Sequence, residues 1–306
     1  MRDLRKYSGI FPALYACYDD EGQVSPQRVQ EFTRYLIDKG VQGLYVGGSS
    51  GECIFQSLEE RKLILENVMQ AAAGKIVIIA HIACPSTQES IMLAKHAADC
   101  GADALSAVPP IYYSLSEAAV AQYWKDIVQA TDLDFFIYNI PQTTPYTLSV
   151  QMLEQMCKLP QVIGVKNSSM PVLDIQKWKM FSKKDFVVFN GPDEQYIAGR
   201  IMGAQGGIGG TYGVMSELFL QAEAAFTAGD VKLAQQIQMA INECIFAMFN
   251  LCSQASIYSV IKEILRQKGM NIGLCRRPFL PLAEEQIEKA SDVKNLIEQK
   301  IAQFSS

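Results

Sequence analysis

One lysine lies at the end of an apolar segment, where its side chain could do covalent chemistry. The segment is residues 162–167, VIGVKN, and the lysine is Lys166. A lysine that ends a buried strand must reach solvent, pair with an acid or have a lowered pKa. A lowered pKa leaves part of the amine neutral, and only the neutral amine attacks a carbonyl carbon to form a Schiff base. The position therefore predicts either that role or a solvated lysine at a strand end.

Hydroxyl groups follow two other apolar segments. Tyr138 lies in residues 135–140, FFIYNI, and is either a packed aromatic residue at the rim or a group that moves protons. Ser49 and Ser50 come directly after residues 43–48, GLYVGG. Backbone N–H groups beside two hydroxyls could bind a small anion such as a carboxylate, or they could form a capped glycine turn.

Two adjacent acids, Asp193 and Glu194, follow the seventh apolar segment. They could bind sugar hydroxyls, or they could favour the N-terminus of the next helix through its dipole, and the two roles are compatible. Tyr112 and Tyr113 follow the fourth segment. They could line the same site or pack an oligomer interface.

The composition excludes several classes of function. The 306 residues include two histidines, His81 and His96, and eight cysteines without a CxxC pair, so a histidine-based metal site or a Ser-His triad lacks side chains. A net charge of −5 without a basic stripe disfavours binding to nucleic acid or anionic membrane. Scattered cysteines suggest a reducing compartment. The remaining candidates favour covalent carbonyl chemistry on a small oxo acid over metal-dependent hydrolysis.

The apolar segments predict a fold that would bring these side chains together. Eight of them, each followed by a helical pattern, recur about every 20–35 residues, at 9–16, 43–48, 75–82, 104–109, 135–140, 162–167, 186–191 and 206–211. Several are continuously apolar, as in parallel strands buried on both faces. Eight consecutive units favour an α/β fold of the closed (β/α)8 (TIM) barrel type over an open doubly wound sheet. Active sites of such barrels lie at the carboxyl ends of the strands.

The last third of the chain has a helical pattern, at 215–228, 230–250, 256–268 and 283–304. We expect residues 1–213 to form the barrel core with the catalytic site. Residues 214–306 would form the last barrel helix and a C-terminal helical extension. The first ten residues lack an apolar signal segment, and no stretch approaches the roughly 18 apolar residues of a membrane span. We therefore expect a soluble, cytoplasmic protein.

Five motifs, in this order and spacing, resemble the pyruvate-dependent class I lyases of the dihydrodipicolinate synthase/N-acetylneuraminate lyase family. They are GGSSGE (47–52), YNIP (138–141), GVKNSS (164–169), NGPDE (190–194) and GGIGGTYG (206–213). The resemblance covers nearly the whole chain, including RRPF at 276–279. It implies a (β/α)8 barrel with a C-terminal helical extension, usually assembled as a homotetramer.

The resemblance also implies roles for residues at matching positions. Lys166 would form the Schiff base with the carbonyl carbon of pyruvate, and Tyr138 would move a proton beside it, as a phenolate or through a relay. Ser49 and Ser50 would hold the carboxylate of pyruvate. No metal or organic cofactor would be needed, because the lysine imine serves as the electron sink.

The sialic acid lyase branch of the family contacts its substrate at further positions, which match Ser168, Gly191, Asp193, Glu194, Gly210 and Tyr112 here. The two acids would bind hydroxyls of the sugar chain, and Tyr112 would lie near the mouth of the site. Gly210 stands where that branch commonly has serine, and Gly213 stands in place of an asparagine.

The choice of branch depends on the loop after Pro141. Dihydrodipicolinate synthases carry an arginine two residues after this proline, where this chain has Thr143. The resemblance therefore implies reversible cleavage of N-acetylneuraminate to N-acetylmannosamine and pyruvate. The alternatives are a sister aldolase for another 2-oxo acid such as 2-keto-3-deoxygluconate, a dihydrodipicolinate synthase, or a non-catalytic 2-oxo-acid sensor.

Overall fold

In a computed structural model, which describes residues 3–252 and 256–305, eight parallel strands form one sheet. The strands are β1 (Gly9–Pro12), β2 (Gly43–Val46), β3 (Val77–His81), β4 (Ala104–Ala107), β5 (Asp134–Asn139), β6 (Val162–Asn167), β7 (Val187–Asn190) and β8 (Gly206–Gly209). Seven of them lie within the predicted segments, and β5 begins one residue before its segment, at Asp134. Even the glycine-rich β8 pairs on both sides, with β1 and with β7.

The sheet curls into a nearly closed barrel. Strand β1 pairs with β8, and the gap between β1 and β2 is bridged at Ala13 and Tyr45. The Leu14 N–H donates to the Tyr45 carbonyl at 2.9 Å, and the Gln42 N–H donates to the Ile10 carbonyl at 3.1 Å. The predicted (β/α)8 barrel is confirmed, and all the strands present their carboxyl ends on one side.

Helices surround the barrel and extend beyond it. They are α1 (Pro26–Asp38), α2 (Leu58–Ala72), α3 (Thr87–Asp99), α4 (Glu117–Val128), α5 (Val150–Met156), α6 (Leu173–Phe181), α7 (Tyr196–Ile201), α8 (Ser216–Thr227), α9 (Val231–Phe249), α10 (Ile257–Gln267) and α11 (Glu284–Phe304). The predicted N-terminal caps of α1 and α2 are confirmed. Ser25 caps α1, and Ser57 and Glu60 form a reciprocal capping box on α2.

The inside of the barrel is filled with aromatic side chains. The Phe189 ring lies 5.0 Å from that of Phe11 and 5.5 Å from that of Phe136, measured between centroids. Tyr7 closes the amino-terminal end, with its ring 5.1 Å from Phe136. Because this packing fills one end, a ligand site can form at the carboxyl ends of the strands.

The last helices pack on the barrel and on one another. Helix α8 contacts β1 and α9, and α11 contacts α8, α9 and α10. The proposed boundary at residue 213 remains a prediction. Across the ranges 3–252 and 256–305, none of the helices is long and apolar enough to cross a membrane.

Candidate active site

A cavity of about 330 Å³ opens at the carboxyl ends of the strands. Its walls include nine of the ten residues proposed for the site: Ser49, Ser50, Tyr138, Lys166, Ser168, Gly191, Asp193, Glu194 and Gly210. Parallel strands bring these side chains together from five separate strand ends. Tyr112 is the exception.

Lys166 lies between two aromatic rings on the floor of this cavity. It is register-paired with Tyr138 on the neighbouring strand, and its side chain is almost fully buried. Its Nζ lies 3.8 Å from the centroid of the Tyr45 ring and 4.0 Å from that of Tyr138. The rings exclude water while still holding the amine at the cavity.

Burial lowers the pKa of Lys166 to about 7, against a partial opposing effect of the Asp193 carboxylate. The cause is the loss of hydration, which penalises the charged form. A substantial fraction of the amine is therefore neutral near physiological pH. This is the state that Schiff-base formation requires, and it distinguishes Lys166 from a solvated lysine at a strand end.

Tyr138 is buried beside the lysine, and burial raises the pKa of its hydroxyl well above the usual value. The hydroxyls of Ser168 and Ser49 oppose this shift through hydrogen bonding. A phenol with a raised pKa stays neutral at pH 7. Of the two forms considered for proton transfer, the structure favours a neutral relay over a standing phenolate.

A pair of asparagines fixes the two strand ends that carry Lys166 and Tyr138. Asn139 and Asn167 are the next residues on each strand, and the Asn139 amide donates to Asn167 Oδ1 at 2.9 Å. The same oxygen accepts from the Trp178 indole at 2.8 Å. Since alternate strand residues face opposite sides, these outward-facing bonds orient the inward-facing catalytic candidates.

The two serines lie in a tight turn, Ser49–Gly51, after β2. Gly47 enters it with φ of 76°, in the left-handed region that favours glycine. Ser50 is buried and Ser49 is exposed to the cavity. Both hydroxyls lie where a ligand carboxylate could accept from them.

Asp193 is buried in the part of the cavity wall that follows β7. Its Oδ2 accepts from the Thr211 N–H and hydroxyl, both at 2.6 Å, so this carboxylate anchors the loop after β8. Its Oδ1 is buried and finds no hydrogen-bond partner among the described residues. Burial raises the pKa of Asp193 to about 7, against the lowering effect of the Thr211 bonds. This oxygen lies over Gly209, where a Cβ would come within 2.1 Å of it, so a side chain on β8 would displace the carboxyl group.

Close packing shapes the wall between β6 and β7. A Cβ at Gly191 would come within 2.1 Å of the Ser168 hydroxyl, so a side chain there would displace it. A Cβ at Gly210 would come only to 3.3 Å from the Ser50 hydroxyl, which a small shift could accommodate. Glu194 lines the cavity next to Asp193.

Tyr112 does not line this cavity. Its side chain is 87% exposed, and its ring packs edge to face on that of Tyr113, which is 70% exposed. Within this single chain the two tyrosines form an aromatic patch on the surface. The predicted contact between Tyr112 and substrate therefore remains a prediction.

Sequence reasoning missed several residues that shape the site. Tyr45 lies in the apolar segment 43–48 and Thr211 in the motif GGIGGTYG, where strand alternation and proximity could have indicated them. Phe249, Ile257 and Tyr258 come from the helical extension and also line the cavity. No local pattern connects that extension to the barrel mouth.

Comparison with known proteins identifies the family. A model described as the dihydrodipicolinate synthetase family matches residues 6–300. The chain belongs to this family. Among the described residues, no group of three or more His, Cys, Asp and Glu side chains could hold a metal ion.

Several members of the dihydrodipicolinate synthetase family are similar along nearly their whole length. N-acetylneuraminate lyase of Mediterraneibacter gnavus is 50% identical over 300 residues, 97% of this chain and 94% of that protein. N-acetylneuraminate lyase 2 of Escherichia coli is 34% identical, covering 94% and 93%. The structure of Ruminococcus gnavus sialic acid aldolase has a TM-score of 0.95 at 49% identity, covering 98% and 99%. The predicted family and carbon–carbon lyase class are confirmed.

Proposed function

We propose that this member of the dihydrodipicolinate synthetase family cleaves N-acetylneuraminate reversibly to N-acetylmannosamine and pyruvate. The observation that carries the proposal is a buried lysine with a pKa lowered to about 7, facing a cavity that two acids, Asp193 and Glu194, also line. The lysine suits imine formation with a ketone, and the acids suit binding of a hydroxyl-rich chain. The similarity to N-acetylneuraminate lyases selects the substrate.

The reaction begins at the ketone of the open-chain sugar acid. Neutral Lys166 attacks C2, and loss of water gives a protonated imine. The imine accepts the electron pair of the C3–C4 bond as the proton of the C4 hydroxyl leaves. This yields N-acetylmannosamine and an enamine. Protonation of the enamine at C3 and hydrolysis of the imine then release pyruvate and the free lysine.

Tyr138 is the group that moves the proton from the C4 hydroxyl. Because its pKa is raised, it acts as a neutral phenol that accepts this proton while its own proton passes through the Ser49 hydroxyl to the substrate carboxylate, which later returns it for protonation of C3. Ser49 and Ser168 are the hydroxyls that interact with it. Ser49 and Ser50 hold the carboxylate of the substrate. Asp193 and Glu194 accept hydrogen bonds from the polyol chain. The walls between these groups are completed by Ser168, Gly191 and Gly210.

Measurement of pyruvate release from several sugar acids tests the substrate. We expect cleavage of N-acetylneuraminate at a higher kcat/KM than of 2-keto-3-deoxygluconate, with no turnover by Lys166→Ala. Condensation of pyruvate with aspartate semialdehyde should be slow. A preference for either alternative substrate would replace N-acetylneuraminate as the assignment, and pyruvate binding without turnover of any substrate would indicate a sensor.

We also infer a cytoplasmic homotetramer. The exposed Tyr112 and Tyr113 offer an aromatic patch of the kind that a subunit interface covers. All eight cysteines are free, as expected in a reducing compartment. Sedimentation analysis of the purified protein tests the assembly, with Tyr112→Ser expected to shift the tetramer towards smaller species.

A further inference from the structure

A tyrosine from the helical extension faces the two serines of the candidate active site. Tyr258 is the second residue of α10, and its side chain lines the same cavity as Lys166. The Ser50 hydroxyl donates a long bond of 3.5 Å to the Tyr258 hydroxyl. A bond of this length is weak, so both hydroxyls can rotate to donate to a ligand.

Two side-chain contacts on α10 hold Tyr258 in this position. The Ser256 hydroxyl caps α10 by accepting from the Tyr258 N–H at 3.1 Å. One turn later, Lys262 pairs with Glu52 at 2.7 Å, and Glu52 directly follows the turn that carries Ser50. The cap fixes the start of α10, and the ion pair ties the helix to the serine turn.

The residue that faces Ser50 from the loop after β8 offers no side-chain donor. Gly210 has no side chain, and its carbonyl already accepts from the Tyr15 hydroxyl at 2.6 Å. A ligand carboxylate has about four acceptor sites, of which the two serine hydroxyls fill two. Burial also raises the pKa of Tyr258, which keeps it a neutral donor.

We infer that the Tyr258 hydroxyl is a third donor to the carboxylate of the bound 2-oxo acid, beside Ser49 and Ser50. The inference rests on the proposed function, since it deepens the carboxylate subsite. It makes the C-terminal extension part of substrate binding. A contact to the sugar tail, near Asp193, is the competing role.

Borohydride trapping of pyruvate on Lys166 separates these roles, because pyruvate has a carboxylate and no sugar tail. For Tyr258→Phe we expect the half-saturating pyruvate concentration to rise roughly ten- to a hundredfold, the usual effect of losing a hydrogen bond to a charged group. The maximal trapping rate and the melting temperature should change little. Trapping with pyruvamide, which lacks the carboxylate charge, should be affected much less by the Tyr258→Phe substitution.

Tyr35→Phe is the matched control, since Tyr35 lies on α1 outside the cavity lining, and it should match the wild type. If the half-saturating pyruvate concentration is unchanged in Tyr258→Phe, the inference is overturned. So does impaired N-acetylneuraminate cleavage with normal pyruvate trapping, which would place the hydroxyl at the sugar tail. Failure of the wild type to trap pyruvate is a different result, because it removes the proposed function itself.

Discussion

Glu52 and Lys262 form a buried ion pair at 2.7 Å, with side chains 0% and 1% exposed, although 210 residues separate them. The second carboxylate oxygen of Glu52 accepts from the Arg276 N–H at 2.8 Å. This one carboxylate therefore joins the serine turn of the barrel to two segments of the helical extension.

Lys262→Met should destabilise the protein by about 3–5 kcal/mol, because it leaves the Glu52 charge buried without its partner. Urea denaturation monitored by circular dichroism measures the free energy of unfolding. Lys289→Met, which breaks an exposed pair with Glu285, is the control and should leave stability nearly unchanged. Equal stability of the two variants would contradict the prediction.

Reduction with borohydride in the presence of pyruvate should attach one adduct, on Lys166. Peptide mass mapping locates the adduct, and a modified residue elsewhere would show that another lysine is the nucleophile. Lys166→Ala should lose both the adduct and turnover while keeping its fold. Its melting temperature should not fall substantially, since the lysine faces a cavity and its charged form is disfavoured by burial.

The rate of imine formation should rise with pH, with an apparent pKa near 7 that belongs to Lys166 coupled to Asp193. The Asp193 carboxylate raises the pKa of Lys166, so Asp193→Asn should lower it and move the rising limb to lower pH. Trapping rates between pH 5 and 9 measure the limb. A shift to higher pH would show that the two groups are not coupled as the geometry indicates.

Glu194→Ala should reduce kcat/KM for N-acetylneuraminate by about ten- to a hundredfold, from loss of roughly 1.5–3 kcal/mol of charged hydrogen bonding. Pyruvate trapping should be unaffected, because pyruvate does not extend to this wall. Glu194 is a cleaner test than Asp193, whose removal would also free Thr211. Equal losses in cleavage and trapping, with a lower melting temperature, would instead indicate a structural role.

Activity should survive exhaustive chelation and thiol reduction, because the proposed chemistry uses an amine, hydroxyls and carboxylates. Cleavage assays after dialysis against EDTA and dithiothreitol check this. A loss that zinc or magnesium restores would reveal a metal requirement, and a loss on reduction would reveal a disulfide requirement.

Much of the barrel and its floor could be predicted from sequence, because both depend on local patterns. Each strand is a short apolar segment, and helices α1–α5, α9 and α10 each begin at a serine or aspartate that caps the helix. Lys166 and Tyr138 end neighbouring strands, and a parallel sheet necessarily places such ends side by side. Family motifs then supplied the roles that position alone left open, such as the choice between a solvated and a reactive lysine.

The tertiary structure decided what depends on packing between distant segments. Tyr258 reaches Ser50 across 208 residues, and no periodicity indicates which helix face will cover the barrel mouth. Asp193 could have capped its own helix, yet its carboxylate turns to Thr211. The lowered pKa of Lys166 arises from the rings and walls that exclude water around it, and burial of that kind exists only once the chain has folded.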